Sequence, residues 1–109
     1  MDLVDKKCHP CDDKTPRLSP EQAKALLLQT PGWDLPAGAK EIARLFAFDS
    51  YEAGLAFTNA VAGIAIRETH HPEITLLYKR VKVAYSTHSI GGLSENDFIC
   101  AAKVSALKP

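Results

Sequence analysis

Arg67–Asp97 reads RETHHPEITLLYKRVKVAYSTHSIGGLSEND, and the rest of the chain is best understood outward from it. Three of the four histidines lie in it: His70 and His71 ahead of Pro72, and His88. Glu73–Tyr78 and Val81–Thr87 alternate apolar and polar side chains, the period of half-buried strands. A two-residue join at Lys79-Arg80 makes them a hairpin in which Tyr78 pairs with Val81. Counting outward, Leu76 faces Val83, Ile74 faces Tyr85 and His71 faces His88. Directly opposed side chains share a face, with Cβ atoms about 4.5–5.5 Å apart. One face then carries Ile74, Leu76, Tyr78, Val81, Val83 and Tyr85 and reads as core. The other carries His71, Thr75, Ser86 and His88, so two imidazoles stand side by side on a polar face.

Imidazole as a side-chain type titrates near about 6.5 and can give or take a proton at neutral pH. His70 falls at a helix C-terminus, where the helix dipole favours a protonated ring. His71 precedes Pro72, which biases it toward extended backbone. Two or three such groups in one cleft suit proton transfer in both directions. The rival reading is a metal site with three nitrogen donors. Neighbouring residues entering a strand point to opposite faces, however, and no Cys, Asp or Glu is an obvious fourth ligand, so no metal is expected. Asp97 has a structural duty as the N3 member of a Ser94-x-x-Asp97 capping box. Tyr78 and Thr87 read as packing and strand residues. Gly91-Gly92 marks a turn, no phosphate loop is present, and no activated Ser or Cys nucleophile stands out.

His70-His71-Pro72, Tyr78, Thr87-His88 and Asp97, with Gly92-Leu93-Ser94 before the Asp, resemble the signature of pterin-4a-carbinolamine dehydratases. Pro31-Gly32-Trp33 and the Phe46-x-Phe48 pair extend the likeness to roughly residues 18–107. One position departs from the pattern. Four residues before His70, where the family usually has a charged residue, stands Ile66, and Glu68 comes two residues late. The resemblance implies dehydration of a 4a-hydroxytetrahydropterin to the quinonoid dihydropterin, in tetrahydrobiopterin recycling after aromatic amino acid hydroxylation. It implies His70 and His88 as acid and base, His71 holding the pterin, and Asp97 orienting a ring or the substrate, with Tyr78 and Thr87 in the same motif. The pterin would be substrate, with no organic cofactor. Homodimers that extend the sheet, or homotetramers paired through helices, would be the assembly. The alternative is a binding module, since some members of the family act as dimerisation partners of a homeodomain transcription factor. A pterin-binding or molybdenum-cofactor-related protein without turnover is a further form of that alternative.

A length of 109 residues suits one domain with a modest core. Thirteen basic and thirteen acidic residues cancel, so no net field gathers nucleic acid. No apolar run approaches the roughly 20 residues of a membrane span. The start, MDLVDKKCHP, has no apolar signal region, and three cysteines make no disulfide framework, which suggests a reducing cytoplasm. Residues 1–17 are polar and aperiodic and read as a mobile tail ahead of a single domain, 18–109. Cys8-His9-Pro10-Cys11 in that tail reads as incidental thiols, against a redox or zinc role.

Ser19-Pro20-Glu21-Gln22 is a helix start, followed by an apolar stripe of Ala23, Leu26 and Leu27 and a stop at Thr30-Pro31-Gly32. Trp33–Leu35 then reads as a short strand, with Trp33 a core anchor. Pro36-Ala37-Gly38 turns it into a second strand, Lys40–Phe48, where Ile42, Phe46 and Phe48 share a face that Arg44 interrupts. Asp49 and Glu52 suggest a capping box for a helix over Ser50–Glu68. That helix has no charge from Gly54 to Ile66, and a last helix, Phe98–Leu107, has only Lys103. Faces so apolar need cover beyond one sheet, which points to an oligomer. The expectation is an α+β fold: a four-stranded antiparallel sheet with helices packed on one face.

Overall fold

Each long element begins where a short polar side chain can hold its first turn. The computed structural model describes residues 2–10, 14–36 and 40–108. Helix α1 spans Pro20–Leu27, and both bonds of its capping box form: Gln22 N–H donates to Ser19 Oγ, and Ser19 N–H donates to Gln22 Oε1. Helix α2 spans Tyr51–Glu68 and is capped by Ser50, whose Oγ accepts from Ala53 N–H, so the cap lies one residue beyond Asp49. Helix α3 spans Glu95–Leu107, with Ser94 N–H donating back to Asp97 Oδ2. Strands β1 (Ile42–Ala47), β2 (Glu73–Leu76) and β3 (Arg80–Tyr85) form one antiparallel sheet in the order β1-β3-β2.

The α+β class stands, but the sheet has three strands and not the four expected. The missing strand is Trp33–Leu35. It contributes one bridge, in which Asp34 N–H donates to Ala43 O and Ala43 N–H donates to Asp34 O, at 2.8 and 3.0 Å. The ladder cannot extend from there. On one side Trp33 N–H closes a turn onto Thr30 O, and on the other Pro36 has no N–H to donate. The expected turn residues Ala37 and Gly38 lie outside the described residues, as does Cys11.

The β2–β3 hairpin also differs in register. Leu77 N–H donates to Arg80 O at 2.8 Å, so the two-residue loop is Tyr78-Lys79 rather than Lys79-Arg80. Ile74 therefore pairs with Val83 and Leu76 with Val81. Moving the loop by one residue changes each partner by two, and a step of two returns a side chain to the same face. The faces of Ile74, Leu76, Val81, Val83 and Tyr85 survive for that reason. Tyr78, read as core, falls instead in the loop and is exposed, and His88 lies beyond β3 rather than paired with His71. Val81, Val83 and Tyr85 are buried, while Lys82 and Thr75 on the other face are exposed.

Ile42, Phe46, Val81, Val83 and Tyr85 meet Phe57, Val61 and Ile64 of α2 and Phe98, Cys100, Ala101 and Val104 of α3 in one core. Trp33 is part of it, with ring centroids 6.2 Å from Phe46 and 6.0 Å from Tyr85. Arg44, on the core face of β1, escapes burial of its charge by lying over the Phe46 ring and donating to Ser105 Oγ at 3.1 Å.

Residues 2–10 lie against α3. Leu3 is buried, Lys103 Nζ donates to Val4 O, and His9 exchanges two hydrogen bonds with the Asn96 side chain. This segment covers α3 surface that the sequence reading left for a second subunit. Helix α2 keeps Tyr51, Leu55 and Ile66 exposed. Among the described residues no helix is long and apolar enough to cross a membrane.

Candidate functional site

The end of α2 sets the histidines. Thr69 caps the helix in the left-handed region, at φ 52° and ψ 43°, and His70 N–H returns to Ala65 O at 3.2 Å. A β-branched residue is strained there, by about 1–3 kcal/mol, so the surrounding structure must enforce the bend. The bend sends His70 inward. His70 is 7% exposed, and its ring stacks on Tyr85 at 5.9 Å between centroids with 6° between planes. Pro72 then holds His71 in extended backbone, and the alternation of β2 turns its side chain to the opposite side.

Behind the sheet lies a buried hydrogen-bonded network. Asp97, fully buried in the first turn of α3, faces His70 Nε2 through Oδ1 at 2.6 Å. Its Oδ2 accepts from Thr87 Oγ1 and from Ser94 N–H, both at 2.9 Å. Thr87 Oγ1 also meets Ser94 Oγ at 2.8 Å, and since the threonine proton goes to Asp97, Ser94 donates that bond. Charge-assisted bonds of this kind are short and strong, and the α3 N-terminus adds a favourable dipole. The arrangement holds one tautomer of His70, with Nε2–H directed at the carboxylate.

In front of the sheet lies an open pocket of about 200 Å³. His71 and His88 line it together, with Ser86, Glu73, Lys40 and Glu41 around them. Both imidazoles are exposed. His88 opens a one-turn 3-10 segment, His88–Ile90, pinned at its base by Thr87 N–H donating to Gly92 O at 2.8 Å. Gly91, at φ 61°, takes the left-handed step that closes this loop. Tyr85 belongs to both regions: it lines the pocket and stacks on His70.

The site residues read from the sequence therefore divide in two. His71 and His88 share the pocket, while His70, Thr87 and Asp97 form the network behind it. Tyr78 joins neither; it is 73% exposed on the hairpin loop, with Lys79 Nζ 5.4 Å from its ring centre. Glu68, the carboxylate nearest to the departing position, accepts from Cys8 N–H at 2.9 Å and lines a different cavity. Sequence reasoning missed Glu73, Lys40 and Glu41. Alternation from His71 was signal enough for Glu73, but Lys40 and Glu41 arrive from a distant part of the chain with no local mark. Among the described residues, no group of three or more His, Cys, Asp or Glu is placed to hold a metal ion. A larger groove of about 620 Å³ lies between Leu3, Thr30, Arg44 and the end of α3, but no histidine lines it.

Known proteins share this chain's sequence and fold. The family described as pterin 4 alpha carbinolamine dehydratase matches residues 16–107. A Nitrosospira multiformis protein provisionally named pterin-4-alpha-carbinolamine dehydratase is 50% identical over 106 residues, covering 97% of this chain and 92% of that protein. A Stenotrophomonas maltophilia protein with the same provisional name is 49% identical over 105 residues, covering 96% and 90%. Among solved structures, a transcriptional coactivator/pterin dehydratase from Brucella melitensis superposes with a TM-score of 0.82 at 32% identity, covering 86% of this chain and 100% of that one. A pterin dehydratase-like protein described as a RuBisCO assembly factor of the alpha-carboxysome superposes with a TM-score of 0.61 at 27% identity, covering 70% and 88%. The chain belongs to the pterin 4 alpha carbinolamine dehydratase family.

Proposed function

We propose that the chain is an enzyme that dehydrates a 4a-hydroxytetrahydropterin to the quinonoid dihydropterin. One observation carries the reading: two solvent-accessible imidazoles, His71 and His88, line a single pocket backed by a buried His70–Asp97 pair. The reaction breaks the C4a–O bond and the N5–H bond. As the N5 electrons form the C4a=N5 double bond, one imidazolium gives its proton to the departing hydroxyl, which leaves as water. The other imidazole, neutral, takes the N5 proton. Exchange with solvent then resets both rings. General acid–base catalysis of this kind contributes about 10²–10⁴-fold per group.

In this reading His71 and His88 carry the protons. The assignment departs from the sequence expectation of His70 with His88, because the Nε2 of His70 is committed to Asp97. His70 acts as a positioning residue through Tyr85 and the chain bend, and Thr87 and Ser94 hold Asp97 in place. Glu73 and Glu41 offer acceptors for the N–H edge of a pterin ring. Recycling of tetrahydrobiopterin after aromatic amino acid hydroxylation is the role such turnover would serve.

The second reading is a binding module without turnover. It draws on the assembly factor relative and on the exposed apolar residues Tyr51, Leu55 and Ile66 of α2. The same residues fit a homo-oligomer, and Leu55→Glu should then shift wild-type association toward monomer in sedimentation. Turnover of freshly generated 4a-hydroxytetrahydrobiopterin separates the two readings. Acceleration over the spontaneous reaction that His71→Gln and His88→Gln each abolish supports the enzyme. A wild-type rate equal to the uncatalysed one leaves the binding module.

A further inference from the structure

Cys8 and Cys100 are 92 positions apart in the chain, yet their Sγ atoms lie 3.4 Å apart. Their approach is held by a set of unrelated contacts. Cys8 N–H donates to Glu68 Oε1 at 2.9 Å, and Cys8 Sγ lies 3.7 Å from Asn96 O. At the next residue, His9 N–H donates to Asn96 Oδ1 at 2.9 Å while Asn96 Nδ2 donates to His9 O at 2.6 Å. Two helices thus grip the backbone on either side of the thiol.

The two sulfurs differ in access. Cys100 is fully buried in α3, three residues after Asp97. Contact with Cys8, then burial, pushes its thiol far above the usual range. Cys8 is half-buried on the wall of a cavity of about 370 Å³ that Lys7, Arg67 and Glu68 also line. Of the two sulfurs, the one on the cavity wall is within reach of an oxidant, and the buried thiol 3.4 Å from it is placed as a resolving partner.

We propose that Cys8 and Cys100 are an oxidisable pair that a hydroperoxide converts to an intrachain disulfide, locking residues 2–10 onto α3. The Cys8 thiolate attacks a peroxide oxygen, the O–O bond breaks, and Cys8 becomes a sulfenic acid as hydroxide or alkoxide departs. The Cys100 sulfur then displaces the sulfenic hydroxyl, which leaves as water with the Cys100 proton. Two thiols supply two electrons, and the peroxide accepts both. Closing from 3.4 Å to the roughly 2.05 Å of a disulfide asks for movement on the scale of a side-chain adjustment. The locked turn of α3 is the one that follows Asp97, so the pair reports on the helix that anchors the buried network.

Peptide mapping tests this directly. Trypsin leaves Cys8 and Cys11 on one peptide and Cys100 on another, so Cys11→Ser removes the ambiguous partner. The full-length variant is treated with stoichiometric hydrogen peroxide, digested without reduction and analysed by mass spectrometry. The expected result is the Cys8 peptide joined to the Cys100 peptide within monomeric chains, reversed by dithiothreitol, and a melting temperature higher by about 5 °C or more than that of the reduced protein. In the wild-type chain the Cys100 peptide should be joined likewise. Free Cys100 after oxidation, a Cys8–Cys11 bond in the wild type, or a link between chains overturns the proposal.

Discussion

His70 and His71 are joined by one peptide bond and have opposite environments. His70 is buried against Tyr85 and held by a carboxylate that has no exposure, while His71 is exposed in a pocket with His88. The difference arises from two backbone constraints, the left-handed Thr69 before the pair and Pro72 after it. It teaches that two adjacent identical residues can be given separate surroundings. In the proposed reaction the buried ring would fix geometry, and the exposed ring would trade protons with solvent and substrate.

The largest effect should come from the open side. His88→Ala should lower dehydratase turnover by about 10²–10⁴-fold with an unchanged circular dichroism spectrum, because truncating an exposed ring leaves no core cavity. Turnover within a few-fold of wild type would break the assignment of the chemistry to the pocket.

The closed side should answer in stability. Asp97→Ala strips the acceptor from His70 Nε2, Thr87 Oγ1 and Ser94 N–H, and should cost about 3 kcal/mol or more in urea denaturation. His71→Ala should cost less than about 0.5 kcal/mol in the same measurement. Equal losses from the two variants would erase the distinction between the neighbouring histidines.

A smaller loss is expected from deleting residues 2–10, about 2 kcal/mol, chiefly the burial of Leu3. A chain without that segment melting as the full chain does would show that α3 is stable without its cover.

The smallest effect concerns pH. The bond from Cys8 N–H holds the Glu68 carboxyl below its usual range. A carboxyl lowered by folding stabilises the folded state above its unfolded pKa, and that contribution disappears as pH falls through the lower folded value. Wild type should therefore melt slightly above Glu68→Gln at pH 7, and the gap should close in acid below about pH 4. A gap that widens in acid would mean that Glu68 is not the acceptor that ties residues 2–10 to α2.

Much of this protein follows from local chemistry and needs no coordinates. Ser19 and Ser94 begin their helices because a serine beside an N-terminal turn satisfies donors that the helix leaves open, whereas at α2 the sequence pointed to Asp49 and the cap is its neighbour Ser50. The faces of β2 and β3 follow from a period of two, which is why they survived an error in the loop. His71 and His88 could be placed on one polar face by that same period. Other features depended on contacts between distant segments. Whether Trp33–Leu35 became a strand was decided by hydrogen bonds already claimed at Thr30 and denied at Pro36. Lys40 and Glu41 reach the pocket, Glu68 turns to Cys8, and Cys8 meets Cys100, only because the sheet and two helices bring them together. Periodicity and caps act within a few residues and can be read in order. Pairings across 27, 60 or 92 positions are set by how whole faces bury against one another, and that is settled only when the chain has packed.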